Sequence, residues 1–265
     1  MSTVLATGAA GRIGATVCPG LRELGWTVVG TDSRELPGDL TGARADLTDP
    51  GAEAALAALL DGADAVLHLA GIPGEDDWAR ILATNVDATR RVLQAAADAR
   101  VGKVVLASSN HATGFTRRPA AGTLPAAAAP RPDTFYGVSK AAVEALGALY
   151  AERHGMEVVA LRIGSFQPRP RTARELATWL SPADAVRLAH AALSAPSPGF
   201  AVVWGVSANT RSWWSAAEGH ALGYHPQDDA EDHAPEILRA GAPDWFGDDE
   251  LALVGGPFCT RDTRR

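Results

Sequence analysis

The chain has 265 residues, 46% of them hydrophobic, enough for one large α/β domain or a domain with a small appendage. With 24 basic and 31 acidic side chains the net charge is −7 and no basic stripe occurs, which excludes a phosphate-neutralising nucleic-acid binder. Cys18 and Cys259, the two cysteines, lie near opposite ends in no ligand spacing, which excludes a disulfide scaffold or a cysteine zinc site. Met1 leads straight into Val4-Leu5-Ala6 without a basic leader, and no run of about 18 apolar residues occurs. The expectation is a cytoplasmic protein that spans no membrane.

In chain order, residues 3–6 predict a first strand, followed by a glycine-rich turn and a helix through Val17, Leu21 and Leu24. Residues 27–30 predict a second strand and 44–46 a short third one. The Ala/Leu-rich stretch 51–60 reads as a helix and 65–69 as a fourth strand. Apolar residues at helical spacing over 81–99, a strand at 103–107, a helix over 135–154 and a strand at 158–163 continue the alternation. Apolar strands separated by helices are what a parallel sheet covered on both faces requires. The expected fold is α/β, a Rossmann-type doubly wound parallel sheet. Prolines break the rhythm after Ile163, and one more strand is predicted at 201–204. The reading is a sheet domain over 1–164 and a small C-terminal lobe over 165–265, laid on the strand ends and not an independent domain. The Ala/Pro-rich stretch 119–132 reads as a surface loop, and the acidic C-terminal end has no assigned place.

Gly8-Ala9-Ala10-Gly11-Arg12-Ile13-Gly14 joins the first strand to the first helix. Glycines there let the backbone turn tightly and approach a pyrophosphate, whose charge rests at the helix N-terminus. The spacing is GxxGxxG rather than GxGxxG, so its weight comes from its position between strand and helix. Asp32 at the end of the second strand is the carboxylate expected to accept the adenosine ribose hydroxyls and repel a 2′-phosphate, favouring NAD over NADP. Arg34, two residues on, works against that preference. Asp46, followed by Leu47, is either an adenine neighbour or a plain turn acid. Leu69-Ala70-Gly71 offers small residues at the exit of the fourth strand, and His68 reads as a packed structural histidine.

Tyr136-Gly137-Val138-Ser139-Lys140 sets a phenol and an ammonium one turn apart on one helix face. A phenol titrates near ~10, so a tyrosine base at neutral pH needs a drop of ~3 units, about 4 kcal/mol, from a nearby cation in a partly dry site. The pair follows a strand ending in Ala107-Ser108-Ser109-Asn110-His111.

TGAAGRIG, HLAG, ASSNH and YGVSK, in this order and at these intervals, resemble the extended short-chain dehydrogenase/reductases over residues 1 to about 165. ASSNH, YGVSK, LRIGS, Arg174 ahead of Ala177-Thr178-Trp179, VVWGVSAN and Trp213-Trp214 resemble the uronate dehydrogenases within that superfamily, across nearly the whole chain. The resemblance implies NAD-dependent oxidation of glucuronate or galacturonate at C1 to an aldarolactone, with a small sugar acid as substrate and a homo-oligomeric enzyme. It implies that Tyr136 is the base, that Lys140 holds the nicotinamide ribose and lowers the Tyr136 pKa, and that Ser109 orients the reacting oxygen. Gly8, Gly11, Arg12, Ile13, Gly14, Asp32, Asp46, Leu47, Leu69, Ala70, Gly71 and Phe166 then line the cofactor together with Tyr136 and Lys140. Ser109, Asn110, His111 and Ser165 meet the sugar, and Arg174 binds its carboxylate, which suits the bidentate guanidinium fork. Pro73 stands where that family has a serine, and Phe166 where it has a small residue; both bear on the choice of sugar, not on the hydride chemistry.

Without the resemblance, His111 also reads as a loop histidine, and Arg174, in the company of Arg169 and Arg171, as a solvated charge. Trp179, Trp204, Trp213 and Trp214 read as packing for the lobe. His225, Asp228, Asp229, Asp232 and His233 lie in a polar surface segment, and no metal is expected. Two other functions share the fold. A nucleotide-sugar epimerase or dehydratase calls for a larger lobe, and the dehydratase for an acid pair where Asn110 and His111 stand. A non-catalytic NAD-binding regulator has no reason to retain both Tyr136 and Lys140.

Overall fold

Consecutive side chains of a strand point to opposite faces, so runs such as Val4-Leu5 and Val104-Val105 need cover on both sides. The computed structural model, which describes residues 2–196, 199–239 and 241–260, supplies that cover. Strands β1 (Thr3–Thr7), β2 (Thr27–Asp32), β3 (Gly42–Arg44), β4 (Ala65–His68), β5 (Lys103–Ser109) and β6 (Glu157–Ile163) pair in parallel in the order β3-β2-β1-β4-β5-β6. Val4, Leu67, Val105 and Val159 share one hydrophobic layer with Val17 and Leu21 of α1 (Gly14–Glu23). Leu5, Val66, Val104 and Val158 share the other with Leu56 of α2 (Ala52–Leu59), Val92 of α4 (Ala88–Asp98) and Val143 of α5 (Phe135–His154). The expected doubly wound sheet is the sheet observed. Successive crossovers reverse direction between β1 and β4, the switch point where such sheets open a crevice at their C-terminal edge.

Two local features set the chemistry in place. The α5 helix starts where Thr134 accepts the Gly137 N–H at 3.0 Å and ends at Gly155, in the left-handed region with φ 66°. Its first turn therefore carries Tyr136 and its second Lys140. The continuous helix expected over 81–99 is instead broken: α3 (Trp78–Ile81) runs into a π-helical turn, Leu82–Asp87, before α4. The inserted residue turns Asn85 inward, where it is buried.

The segment after Ile163 corrects the expected boundary. Only part of it forms a lobe. A helix, α7 (Pro182–Ser194), packs through Ala185, Leu188 and Ala189 into the α1 layer, and β9 (Phe200–Gly205) pairs with β6 to become the seventh strand of the main sheet. The lobe proper comprises the short parallel pair β7 (Ser165–Phe166) and β8 (Trp179–Leu180), the helix α6 (Glu175–Thr178) between them, and the chain beyond Gly205. Residues 261–265, the end of the expected lobe, lie outside the described residues. Trp204, Trp213 and Trp214 form its core with Ala177 and Val254, as expected of packing tryptophans, and Trp179 packs separately on Leu176, Ala230 and Ala234. The stretch 119–132 is more than a surface loop. Leu124 exchanges backbone bonds with Trp213 and Ser215, and Ala126 is fully buried. The third strand is Gly42–Arg44 rather than 44–46, because the Asp46 side chain folds the next residues into a turn. Among the described residues no helix is long and apolar enough to cross a membrane, and no group of three or more acidic, histidine or cysteine side chains could hold a metal.

Candidate active site

The glycine loop lies hard against the exit of β4. Gly8 has φ 67°, and a Cβ there would stand 2.6 Å from the Ala70 nitrogen, so only glycine fits. No side chain caps the N-terminus of α1, which leaves that end open to an anion. Asp32 is buried at the tip of β2. It accepts the Ala10 N–H at 3.0 Å and binds Arg34 through the backbone N–H at 3.0 Å and Nε at 3.1 Å. Burial works to raise the Asp32 carboxyl, but the bonds and charge of Arg34 and the Ala10 N–H hold it below the usual carboxylate range. Asp46 is exposed and accepts from the Thr48 N–H at 2.9 Å and hydroxyl at 2.7 Å, the bonds of a turn acid, and Leu47 is buried in the hydrophobic layer of Leu5 and Leu56. Phe166 is buried under the loop, with the Arg12 guanidinium 5.9 Å from its ring centre.

At the β4 exit the Leu69 N–H bonds the Thr7 carbonyl at 3.1 Å and the Ala70 N–H bonds the Thr7 hydroxyl at 3.3 Å. His68 is the packed histidine expected: Thr7 meets its Nδ1 at 2.7 Å and Thr89 its Nε2 at 2.9 Å. Burial, helped by the Lys140 charge, pushes its pKa down to about 3, so the ring is neutral. Asn85 accepts the Ile72 N–H at 2.7 Å and donates to Ser139 at 3.0 Å. A Cβ on Gly71 would come within 3.0 Å of the Asn85 carbonyl oxygen and 3.7 Å of Lys140 Nζ, so Gly71, Asn85 and Lys140 meet at one point. Helical periodicity gives no sign of Asn85, because the π turn is invisible to it.

Tyr136 and Lys140 are both buried beside the C-terminal end of β5. Lys140 Nζ donates to the Ala107 carbonyl at 2.8 Å and lies 5.5 Å from the Tyr136 ring centre. Burial pushes the ammonium down to about 8 against the opposing charge of Glu144. Burial likewise pushes the Tyr136 phenol up to about 12, although a hydrogen bond with Ser109 works the other way. Desolvation of the ring, with the Asp133 charge, outweighs the Ser109 bond, and Lys140 stands beside the ring with one N–H on Ala107. Below the site, Ser108 donates to Glu144 at 2.6 Å, and Arg162 grips the same carboxylate through Nε at 2.9 Å and Nη2 at 2.8 Å. This buried pair ties β5, α5 and β6 together.

The residues expected to meet the sugar converge above Ser109, and the C-terminal segment closes over them. Asn110 donates to the Val254 carbonyl at 2.8 Å, and Arg174 donates to the same oxygen through Nη2. Arg174 Nη1 reaches Ser165 at 3.3 Å and Thr178 at 3.1 Å, while Nε is buried without a partner. His111 packs on Phe258 at 4.3 Å between ring centres, stands edge-on to Tyr136 at 5.7 Å, and bonds Asp133 through Nδ1 at 2.7 Å. The Glu75 carboxylate accepts the Phe135 and Tyr136 N–H groups at 3.2 and 2.9 Å and so caps the first turn of α5. The sequence reading missed Glu75, Asp133, Val254 and Phe258. Val254 acts through a backbone carbonyl, which leaves no residue signature.

A family model described as the NAD dependent epimerase/dehydratase family matches residues 4–214. A uronate dehydrogenase of Pseudomonas syringae pv. tomato is 35% identical over 258 residues, 96% of this chain and 92% of that protein. The solved structure of a glucuronic acid dehydrogenase from Chromohalobacter salexigens superimposes with TM-score 0.89 at 35% identity, covering 98% of this chain and 97% of that one. A mutant uronate dehydrogenase from Agrobacterium tumefaciens complexed with NAD superimposes with TM-score 0.89 at 33% identity, over 99% of this chain and 98% of that one.

Proposed function

The chain belongs to the NAD dependent epimerase/dehydratase family, and from that premise we propose that it oxidises a hexuronate, glucuronate or galacturonate, at C1 to the aldarolactone. The observation that carries the reading is the pairing, at one sheet edge, of the buried Tyr136–Ser109–Lys140 group with an arginine whose Nε is buried and unpartnered. A hydroxyl oxidised beside a bound carboxylate is what such a pairing serves. The residues fit a dinucleotide: the uncapped α1 terminus and the Gly8 contact accept a pyrophosphate, and the Asp32 carboxylate accepts ribose hydroxyls.

NAD, when bound, supplies the hydride acceptor and a positively charged ring. Tyr136, as phenolate, takes the proton of the anomeric hydroxyl while C1 gives up its hydride, so the hemiacetal carbon becomes the lactone carbonyl. Ser109 holds the reacting oxygen next to the phenol. The two ammonium N–H groups of Lys140 not engaged by Ala107 hold the nicotinamide ribose and stabilise the phenolate. Arg174 fixes the substrate carboxylate, and Asn110, His111 and Ser165 bind its hydroxyls. Gly11, Arg12, Ile13, Gly14, Leu69, Ala70, Gly71 and Phe166 complete the cofactor contacts, and Asp46 and Leu47, a turn acid and a packed leucine, border the adenine end only as neighbours. A homo-oligomer and a cytoplasmic location belong to the same proposal, the former read out by sedimentation.

Purified protein mixed with NAD and each uronate should form NADH and the lactone. Flat traces with both sugars refute the reading, and stoichiometric NAD that survives purification and does not exchange points to an epimerase or dehydratase instead.

A further inference from the structure

The His111 ring is held more tightly than a loop residue needs to be. Its Nδ1 meets Asp133 Oδ2 at 2.7 Å, and the Asp133 side chain has no exposed surface. Asp133 Oδ1 accepts the Thr134 hydroxyl at 2.9 Å, and that hydroxyl itself accepts the Gly137 N–H at the start of α5, which turns its proton toward the carboxylate. Cys259 Sγ lies 3.7 Å from Oδ2. Three glycines from separate segments press on this carboxylate: a Cβ on Gly114, Gly137 or Gly255 would overlap its oxygens. His111, Thr134 and Cys259 turn donors to Asp133, and the three glycines are bare of a side chain that would displace it. A carboxylate surrounded by donors leaves the neutral His111 ring one arrangement, with its proton on Nδ1. Among the described residues no protein group bonds Nε2.

We propose that Asp133 is a positioning residue that fixes His111 in the Nδ1–H tautomer, so that Nε2 is presented as a hydrogen-bond acceptor to a hydroxyl of the sugar acid. The inference rests on the uronate-oxidation reading for its ligand but not for its geometry. A ring held this way selects a hydroxyl, which can donate, at that position of the sugar over an ether or hydrogen, which cannot. Phe258 covers the other side of the ring and keeps it in that pose.

The tautomer is read directly from the 15N shifts of the His111 ring in the full-length protein, with and without Asp133→Asn. In the parent protein Nδ1 carries the proton and Nε2 is bare. In the variant the amide donates to Nδ1 and the proton moves to Nε2, as an Asp→Asn change does in a histidine–aspartate pair of a serine protease. In parallel, kcat/KM for the sugar acid falls roughly 10- to 100-fold while NAD binding stays within about twofold. In a His111→Phe background the same Asp133→Asn change adds less than about a twofold further loss. Should Asp133→Asn fail to fold, Asp133→Ala removes the acceptor that holds the Nδ1 proton and gives the same loss of the fixed Nδ1–H form. A bare Nδ1 in the parent protein, an unchanged tautomer in both variants, or a loss that persists without His111 overturns the proposal. Lack of turnover with any uronate overturns the activity reading alone, because the ring shifts are measured without substrate.

Discussion

Replacing Arg174 with alanine separates recognition of the acid from the hydride chemistry. The guanidinium places Nη1 on Ser165 and Thr178 and one Nη2 proton on the Val254 carbonyl, while Nε is buried against Gly256 without a polar partner. Under the proposed function, Nε and the second Nη2 proton are what the substrate carboxylate would take. A carboxylate on that edge gains two charge-assisted bonds, each worth ~1.5–3 kcal/mol. Taking the lower figure for both gives about 3 kcal/mol, or roughly a 150-fold loss in kcat/KM for glucuronate or galacturonate. The neutral parent hexose has no carboxylate to lose, so its kcat/KM should stay within about threefold. Arg174→Lys keeps the charge without the fork and should fall between the two. Steady-state NADH formation with acid and neutral sugar, for parent and variants, gives the ratio. Equal losses on the two sugars would refute the reasoning, because they would show that Arg174 supports the lobe through Val254 rather than binding substrate.

Since burial pushes Tyr136 up to about 12, the fraction of phenolate grows with pH, and kcat/KM at saturating NAD should rise from neutrality toward alkaline pH; a flat profile contradicts a tyrosine base. Burial lowers Lys140 from 10.5 to about 8, so the folded state binds fewer protons than the unfolded state between those values, and the cost of the buried charge is fully present below pH 8. Lys140→Met should therefore be inactive yet more stable at pH 7 by on the order of 3 kcal/mol, a gain that fades by pH 10.5 in denaturant titrations. Arg162→Met leaves the Glu144 carboxylate buried without its partner, a cost of ~3–5 kcal/mol that should lower Tm by about 10 °C in a thermal scan.

Much of the fold was legible because the local signals were unambiguous. The strands are short apolar runs, and α5 begins at a threonine cap and ends at a glycine, so its bounds follow from the residues themselves. The Tyr136/Lys140 pair followed from the same spacing. Elements whose cause lies elsewhere in the chain were harder to read. Pro182 looks like a break, yet it occupies the first turn of α7 behind the Ser181 cap, a helix start that sends the chain back to the sheet as β9. Asn85 depends on one extra residue in a helical turn. Val254 and Phe258 reach the site from a segment distant in sequence, held there by backbone bonds such as Gly255 N–H to the Gly114 carbonyl at 2.9 Å. Asp133, although next to the α5 cap, acts through His111, 22 residues earlier. Desolvation of Tyr136 is a property of the assembled site, and no residue spacing reports it.

The most direct test of a phenolate base is Tyr136→Phe, assayed for NAD binding by calorimetry and for NADH formation from a uronate in the same preparation. Loss of the hydroxyl should lower turnover at least ~10²–10⁴-fold while NAD affinity stays within about twofold. A phenylalanine variant that turns over within tenfold of the parent would contradict it.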